Sequence, residues 1–202
     1  MNIDKSKIKN YLLWQGLAMG TFVVVYGFCN HYASSASHHY QMYFDWELSI
    51  PHYPLMMIFY RSLDLLLCLV LFALSKESMR DYAKTMILSV LMATPIFLIF
   101  PAQLGFPRPV HHEHFQFLYD VLYTIDKPHN LLPSMHVTYA ALGLWFIYKD
   151  LKKYTYLLSI WFVLICASVV LVHQHHILDI PAGIVLAILA YKIYFRYLKK
   201  ES

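Results

Sequence analysis

Six apolar runs constrain this sequence most, because each is close to the roughly 20 residues that cross a bilayer as a helix. They lie at about residues 11–29, 53–74, 84–100, 134–149, 154–172 and 177–194. Only helices and closed barrels satisfy their backbone polar groups in lipid, and no alternating ten-residue pattern favours a barrel. The sequence therefore predicts an all-α polytopic membrane protein with six transmembrane helices. We expect a single membrane domain over residues 1–202, with a long outer loop at 101–133.

The composition excludes an ordinary soluble domain. Hydrophobic residues make up 59% of the 202 positions and charged residues only 14%, whereas a soluble chain is nearer half apolar and a quarter charged. The net charge of +4 matters less than where the charges lie. We therefore expect the bilayer, and no nucleic acid, as a partner.

The positive charges predict the orientation of the chain. Thirteen of the sixteen Lys and Arg residues lie at the termini, in the second-to-third connection and in the fourth-to-fifth connection. Because cytoplasmic segments are enriched in Lys and Arg, we expect both termini to be cytoplasmic. The segments at 31–52, 101–133 and 173–176 would then face a periplasm, the exterior or a lumen. The host membrane would be a bacterial inner membrane or a eukaryotic endomembrane.

All twelve His residues fall on the outer side in this topology. They are His31, His38, His39, His52, His111, His112, His114, His129, His136, His173, His175 and His176. Interfacial loops tolerate the amphipathic imidazole, which accounts for those in loops. That explanation does not easily cover the His residues at predicted helix ends.

Three clusters on this outer side contain residues suited to chemistry, at 100–109, 133–136 and 173–179. The first contains Arg108, whose planar guanidinium matches phosphate oxygens. The second places Ser134 as an N-cap, where free backbone N–H groups and the helix dipole favour an anion. The third spaces His175 and Asp179 four residues apart, which predicts one face of a helix.

These residue types suit phosphoryl transfer through a phosphohistidine. His175 would attack phosphorus while Asp179 holds its other ring nitrogen protonated. His136 would protonate the leaving oxygen and then activate the acceptor. Arg108 and the backbone N–H groups around Ser134 and Met135 would stabilise the phosphate charge. We expect no cofactor and no metal, because cations and helix termini already neutralise the phosphate.

The clusters resemble the three motifs of the type 2 phosphatidic acid phosphatase superfamily, in particular its branch similar to inositol phosphorylceramide synthases. That pattern has a first motif rich in proline and arginine, a Pro-Ser-x-His second motif and a His-x-x-x-Asp third motif. The matching residues are Arg108, Pro109, Pro133, Ser134, His136, His175 and Asp179. The resemblance covers the last four predicted spans and implies a six-helix enzyme acting on a lipid phosphate.

Three positions depart from the phosphatase pattern of this family. Pro101 stands where that pattern has a Lys, Val169 where it has an Arg, and Met135 where it has a Gly. Two expected phosphate cations are therefore missing. We expect other residues to replace them, and the candidates are Lys127, His173 and Arg61.

Several alternatives stay open at this stage. The phosphohistidine would serve hydrolysis or transfer to inositol, a sugar or another lipid, and we favour hydrolysis. A transporter or metal-binding membrane protein, and a non-catalytic remnant of the family, are weaker alternatives. Ser134 as a nucleophile is disfavoured, because no Gly-x-Ser-x-Gly turn surrounds it.

Other features carry weaker expectations. Arg61 and Asp64 lie three residues apart in a span, which favours a structural ion pair. The run of His and Glu at 111–114 resembles a metal site only loosely, and a solvated loop is the preferred interpretation. Residues 114–125 have an amphipathic pattern and would form a helix at the outer leaflet or a plain surface loop. His176 would donate to a neighbour of the nucleophile or simply lie at the interface.

Overall fold

Helices dominate the computed structural model, which describes residues 4–109, 111, 114–148 and 151–199. They are α1 (Lys5–Ser34), α2 (Met57–Ala73), α3 (Lys76–Ile99), α4 (Gln116–Ile125), α5 (Met135–Tyr148), α6 (Thr155–Leu171) and α7 (Asp179–Ile193). Short 3₁₀ turns lie at Asp45–Ser49, Pro54–Met56 and Lys152–Tyr154, and a π-helical turn at Tyr194–Leu198 continues α7. The predicted all-α class is confirmed. The strands in the described part of the chain are two short parallel ones, β1 (Tyr40–Gln41) and β2 (Ala102–Gln103).

Five of these helical segments are long and apolar enough to cross a membrane within the described ranges. They are Lys5–Ser34, Pro54–Ala73, Lys76–Ile99, Lys152–Leu171 and Asp179–Leu198. The predicted fourth span is the apolar helix α5, which has only 14 residues and a length of about 21 Å. Helix length and composition thus support five spans, one fewer than the six that the apolar runs predict.

Helix caps place several boundaries outside the apolar runs. Lys7 donates its backbone N–H to the Asp4 carboxylate over 2.6 Å, so α1 begins six residues before its predicted start. Ser75 accepts the Ser78 backbone N–H over 3.1 Å and begins α3 well before residue 84. Capping depends on a few hydrogen bonds at the first turn, and hydropathy does not record it.

Helix α5 is at the centre of the bundle and packs against α2, α3, α6 and α7, while α1 packs on α3. Ten of its fourteen residues are buried. A helix enclosed by other helices is not limited by the thickness of lipid around it, because protein satisfies the groups beyond its ends. The central position of α5 therefore removes most of this short helix from contact with the surrounding lipid.

Alternating helix directions give the bundle two distinct ends. The histidine end consists of the connections 35–56, 100–134 and 172–178 with the adjoining helix turns, and it contains every His that the structure describes. The lysine end consists of the start of α1, the connection at 74–75 with the adjoining turns of α2 and α3, the segment 151–154 and the end of α7. The described His residues thus gather at one end of the bundle, as predicted. His112 lies outside the described residues, and the outward orientation of this end stays a prediction.

The long connection at the histidine end folds against the bundle. Its helix α4 agrees with the amphipathic pattern at 114–125, and Tyr119 on α4 is fully buried. Tyr119 belongs to an apolar cluster that also contains Met57, Phe106 and Val169. This cluster forms a floor beneath the 172–178 turn, where the third motif lies.

Candidate active site

The third motif lies on a turn between α6 and α7, which corrects the expectation that His175 and Asp179 share a helical face. His173 has a left-handed backbone with φ 56°. The backbone N–H groups of Gln174 and His175 then donate to the carbonyl oxygen of Val169 over 3.1 and 2.9 Å. The chain reverses within this turn, and α7 begins only at Asp179.

The turn nevertheless places the two side chains in contact. His175 Nδ1 lies 3.0 Å from Asp179 Oδ2, and both side chains are buried. The same Asp179 oxygen accepts the His176 backbone N–H over 2.9 Å. A carboxylate accepts hydrogen bonds, so His175 carries its proton on Nδ1 and its Nε2 has a free lone pair.

The second motif is joined directly to the third. Ser134 Oγ accepts the Val137 backbone N–H over 3.3 Å, which confirms the predicted N-cap of α5. The Ser134 backbone N–H donates to the Asp179 carbonyl oxygen over 3.2 Å. A Cβ atom on Gly183 would lie 2.6 Å from the Ser134 carbonyl oxygen, so the close approach of α7 and α5 requires glycine there.

This contact removes one of the predicted backbone donors from the anion site. Because the Ser134 N–H is used by Asp179, it does not remain for phosphate, contrary to expectation. The first N–H groups of a helix have no partner within the helix. The backbone donors for an anion at this end of α5 are therefore those of Met135 and His136.

His136 lies in the first turn of α5, with one ring nitrogen committed. Its Nε2 is 2.6 Å from the Tyr60 carbonyl oxygen on α2, and its ring stacks on the Tyr60 ring at 4.0 Å. A carbonyl oxygen only accepts, so Nε2 carries a proton. The nitrogen left for proton transfer is Nδ1.

Arg108 connects the first motif with the third. Its Nη2 donates to Gln174 Oε1 over 3.2 Å, and Gln174 directly precedes His175. Its Nη1 donates to the Asp126 carbonyl oxygen over 2.7 Å, while the buried Nε has no hydrogen-bond partner among the described residues. The guanidinium lies over the Tyr123 ring at 4.8 Å. The sequence placed Arg108 in a loop, and the structure brings it to the turn of His175.

Asp126 is a part of this region that sequence reasoning missed. Its carboxylate accepts one hydrogen bond from Tyr26 and one from Asn30, both on α1, and each donor–acceptor distance is 3.0 Å. Burial raises the pKa of Asp126, and the Tyr26 bond and the nearby His175 and Arg108 oppose that shift. Asp126 precedes the second motif by only a few residues, but its partners on α1 lie about a hundred residues away.

Two predicted phosphate ligands have other contacts. His173 is buried, its Nε2 lies 2.9 Å from the Ile50 carbonyl oxygen, and its ring stacks on Phe106 at 3.9 Å. Burial lowers the pKa of His173, which disfavours its charged form, so a role of His173 in place of the missing cation stays a prediction. The Lys127 side chain is exposed, and only its backbone contacts Asn30. A role of the Lys127 ammonium in phosphate binding stays a prediction.

The positions that depart from the family pattern have structural roles. The Val169 side chain is fully buried in the apolar cluster beneath the turn. The Pro101 carbonyl oxygen accepts the Tyr40 backbone N–H over 2.8 Å beside the β1–β2 pair. These residues therefore shape the turn and the loop around the site without supplying charge.

The remaining candidates are an ion pair on α2 and the run of His and Glu at 111–114. Arg61 and Asp64 form the predicted ion pair, with Nη2 and Oδ2 2.5 Å apart and both side chains about half exposed. His112 and Glu113 of the loosely metal-like run lie outside the described residues. Among the residues that the structure does describe, no group of three or more His, Cys, Asp or Glu side chains could hold a metal ion.

Two imidazoles, a carboxylate and a guanidinium at one end of an apolar helical bundle fit the class of membrane enzymes that act on phosphate esters. The family model of the PAP2 superfamily matches residues 80–202, which include all three motifs. The chain belongs to this superfamily, whose members are phosphatases or phosphotransferases. No curated protein and no solved structure matches the chain. The inositol phosphorylceramide synthase-like branch stays a prediction.

Proposed function

We propose that this protein is an integral membrane lipid phosphatase that hydrolyses a lipid phosphate or diphosphate through a phosphohistidine at His175. The observation that carries the proposal is the 3.0 Å contact between His175 Nδ1 and Asp179 Oδ2. It leaves Nε2 as the nucleophile in a turn that also contacts Arg108. The family match supports chemistry on phosphate esters.

In the first half-reaction, the His175 Nε2 lone pair forms a bond to phosphorus while the bond from phosphorus to the lipid oxygen breaks. Imidazolium forms on His175 at this step, and the Asp179 carboxylate stabilises it. His136, protonated on both ring nitrogens when the substrate is bound, gives its Nδ1 proton to the leaving oxygen and keeps its Nε2 proton on the Tyr60 carbonyl oxygen. The lipid alcohol then leaves.

In the second half-reaction, water attacks the phosphohistidine. His136 Nδ1 takes a proton from this water as its oxygen bonds to phosphorus. The bond between phosphorus and Nε2 then breaks, which releases inorganic phosphate and restores His175. The same intermediate would serve transfer if an alcohol replaced water.

Arg108 and the start of α5 would hold the charge of the phosphate. The guanidinium has five N–H donors, and the two donors used on Asp126 and Gln174 fix its plane. The buried Nε remains available for an oxygen of the phosphate. The N–H groups of Met135 and His136 add the positive end of the α5 dipole. This set of donors neutralises the phosphate without requiring a metal.

The same proposal includes six membrane crossings, with α5 added to the five longer helices, and both termini in the cytoplasm. The lysine end holds almost all described Lys and Arg residues, which favours a cytoplasmic location for that end. The site at the histidine end would then face the periplasm, the exterior or a lumen. Lipid phosphate would reach it from the outer leaflet.

The direct test measures phosphate release in detergent from a panel of lipid phosphates and diphosphates, with EDTA present. We expect activity in the wild type and a loss of about 10³-fold or more in His175→Ala, because the covalent route is removed. His31→Ala is the matched control, since His31 is exposed at the same end of the bundle. Full activity in His175→Ala would contradict the nucleophile, and loss of activity in EDTA would contradict the metal-free mechanism.

Product analysis distinguishes hydrolysis from transfer. With inositol, a sugar or a second lipid added as acceptor, we expect inorganic phosphate as the main product. A phosphate ester of the acceptor in place of inorganic phosphate would assign the protein to the transfer reaction and support the synthase-like branch.

A labelling experiment tests the orientation. A Cys introduced at His38 is expected to react with a membrane-impermeant thiol reagent in intact cells, and a Cys introduced at Lys153 is expected to be protected. The opposite pattern would reverse the proposed topology.

A further inference from the structure

Glu47 is a buried carboxylate outside all three motifs, on the 3₁₀ turn Asp45–Ser49 between α1 and α2. Its side chain is 0% exposed. Oε1 accepts the Phe44 backbone N–H over 3.1 Å, and Oε2 accepts the Ile177 backbone N–H over 2.9 Å. His176 Nδ1 lies 3.2 Å from the same Oε2. All three partners donate, as an ionised carboxylate requires.

Both ring nitrogens of His176 have hydrogen-bond partners. The Gly105 backbone N–H donates to His176 Nε2 over 3.2 Å, so the ring proton is on Nδ1 and points to Glu47. The ring stacks on Tyr43 at 4.2 Å and on Phe106 at 4.6 Å. Gly105 is necessary for this contact, because a Cβ there would lie 2.4 Å from the Tyr43 ring.

Glu47 and His176 therefore join three segments that are distant in sequence. Tyr43 and Glu47 come from the first connection, Gly105 and Phe106 from the second, and His176 from the third. Because His176 directly follows His175, any shift of this contact would move the nucleophile.

The backbone around His175 is fixed at consecutive positions. The His175 N–H donates to Val169, the His176 N–H to the Asp179 carboxylate and the Ile177 N–H to Glu47. Asp179 orients the ring of His175, and Glu47 holds the turn that carries this ring. The two carboxylates thus fix neighbouring parts of one turn: Asp179 holds His175 and the His176 N–H, and Glu47 holds the Ile177 N–H.

We propose that Glu47 and His176 form a positioning clamp that holds the His175 turn in the geometry for attack on phosphorus. Neither residue touches the phosphate in this role. The inference rests on the proposed phosphohistidine mechanism at His175, and it assigns to the first connection of the chain a part in the reaction. A displacement of about 1 Å in a reacting group costs roughly 100-fold in rate, so the clamp should act on kcat.

The test compares kcat, KM and the thermal midpoint of Glu47→Gln, Glu47→Ala and His176→Phe with the wild type. We expect kcat to fall by about 10- to 100-fold with KM within about 2-fold, because the phosphate ligands are unchanged. Asp45→Asn is the matched control, since Asp45 is an exposed carboxylate on the same 3₁₀ turn, and its kcat should equal that of the wild type.

Two further variants separate positioning from a loss of folding. His176→Asn places an amide donor near the position of Nδ1 and should recover most of the kcat that His176→Phe loses. In Glu47→Gln/His176→Phe, the loss in kcat should be close to that of the more affected single variant. The reason is that both substitutions break the same contact between the Glu47 and His176 side chains.

The outcomes for the clamp and for the mechanism are distinguishable. If the wild type is active, His175→Ala is inactive and the Glu47 variants keep full kcat, the clamp is overturned and the mechanism stands. Additive losses in the double variant, or kcat losses that only follow the thermal midpoint, also overturn it. If the wild type releases no phosphate, or His175→Ala retains full activity, the proposed function fails and the clamp's role fails with it.

Discussion

The two ends of the helical bundle treat polar residues in opposite ways. At the lysine end, cations lie at the surface, and the buried charged residue there is Asp81, which accepts from Tyr194 and Lys199 over 2.8 and 2.6 Å. At the histidine end, several polar side chains are buried, and some of them, such as those of His175 and Asp179, are hydrogen-bonded to one another. The buried polar residues at this end are Asn30, Glu47, Asn130, Ser134, His173, Gln174, His175, His176 and Asp179.

This difference separates orientation from chemistry. Surface cations interact with the membrane and its electrostatics without needing defined partners. Buried polar groups are costly unless each is hydrogen-bonded, so a network of them fixes side-chain geometry closely. The histidine end therefore has the ordered polar contacts that the proposed reaction requires, and the lysine end has the charge on which the proposed orientation depends.

After the loss of the nucleophile itself, the largest effect on activity is expected at Asp179. Asp179→Asn removes the charge that stabilises imidazolium on His175, and an amide nitrogen at Oδ2 would face the donors on His175 and His176. We expect phosphate release to fall by about 10²- to 10⁴-fold, with the protein still folded. The measurement is kcat in detergent beside Asp45→Asn, and a loss below 10-fold would argue that the pair is only structural.

Arg108→Lys is expected to reduce activity less than Asp179→Asn does. An ammonium does not reproduce the two-directional contact with Asp126 and Gln174 or the remaining Nε donor. We expect KM for a lipid phosphate to rise by about 10-fold, with a smaller change in kcat. Unchanged KM and kcat would remove Arg108 from the phosphate site.

The histidine end should also make stability depend on pH. Burial lowers the pKa of His173 and of His176 below the ordinary value of 6.5 in the folded protein. For His176, the carboxylates of Asp179 and Glu47 oppose this shift, and the neighbouring His175 adds to it. The unfolded chain therefore binds more protons, and stability is fully present above about pH 6.5 and is lost as pH falls below it.

The measurement is the thermal midpoint between pH 7.5 and 5.5. Each His contributes at most about 1.4 kcal/mol of stability per pH unit. For a chain of this size, each kcal/mol shifts the thermal midpoint by about 2 to 4 °C. His173→Asn tolerates the left-handed backbone and should reduce the pH dependence. The same pH dependence in this variant and in the wild type would contradict the assignment to His173.

The smallest effect on activity is expected at the lysine end. Asp81→Asn weakens the contacts with Tyr194 and Lys199 and should cost about 1 to 3 kcal/mol of stability. Phosphate release measured well below the midpoint should equal that of the wild type. A clear loss of kcat would show that the two ends are coupled, against the separation described above.

The parts that could be predicted from sequence are those set by local pattern. Apolar runs located the long helices, amphipathic spacing gave α4 as one of two alternatives, and the N-cap at Ser134 followed from residue type. The partnership of His175 with Asp179 was also predictable, because only four residues separate them. Its geometry was not, since the left-handed His173 and the late start of α7 replace the expected helical face with a turn.

The rest depends on contacts between distant segments. Glu47 and His176 are 129 residues apart, and nothing in the spacing of either motif or loop indicates their pairing. The contacts of Asp126 with Tyr26 and Asn30 span about a hundred residues in the same way. His173 was expected to supply charge, and only the fold shows that it is buried against Phe106 and Ile50.

The most direct test of the central claim is to trap the covalent intermediate. Enzyme mixed with a lipid phosphate labelled in its phosphate group is quenched in alkali during turnover and separated from the lipid. We predict a labelled protein that survives alkali, loses its label in acid and is not formed by His175→Ala. A label that survives acid, or one that persists in His175→Ala, would contradict a phosphohistidine at His175.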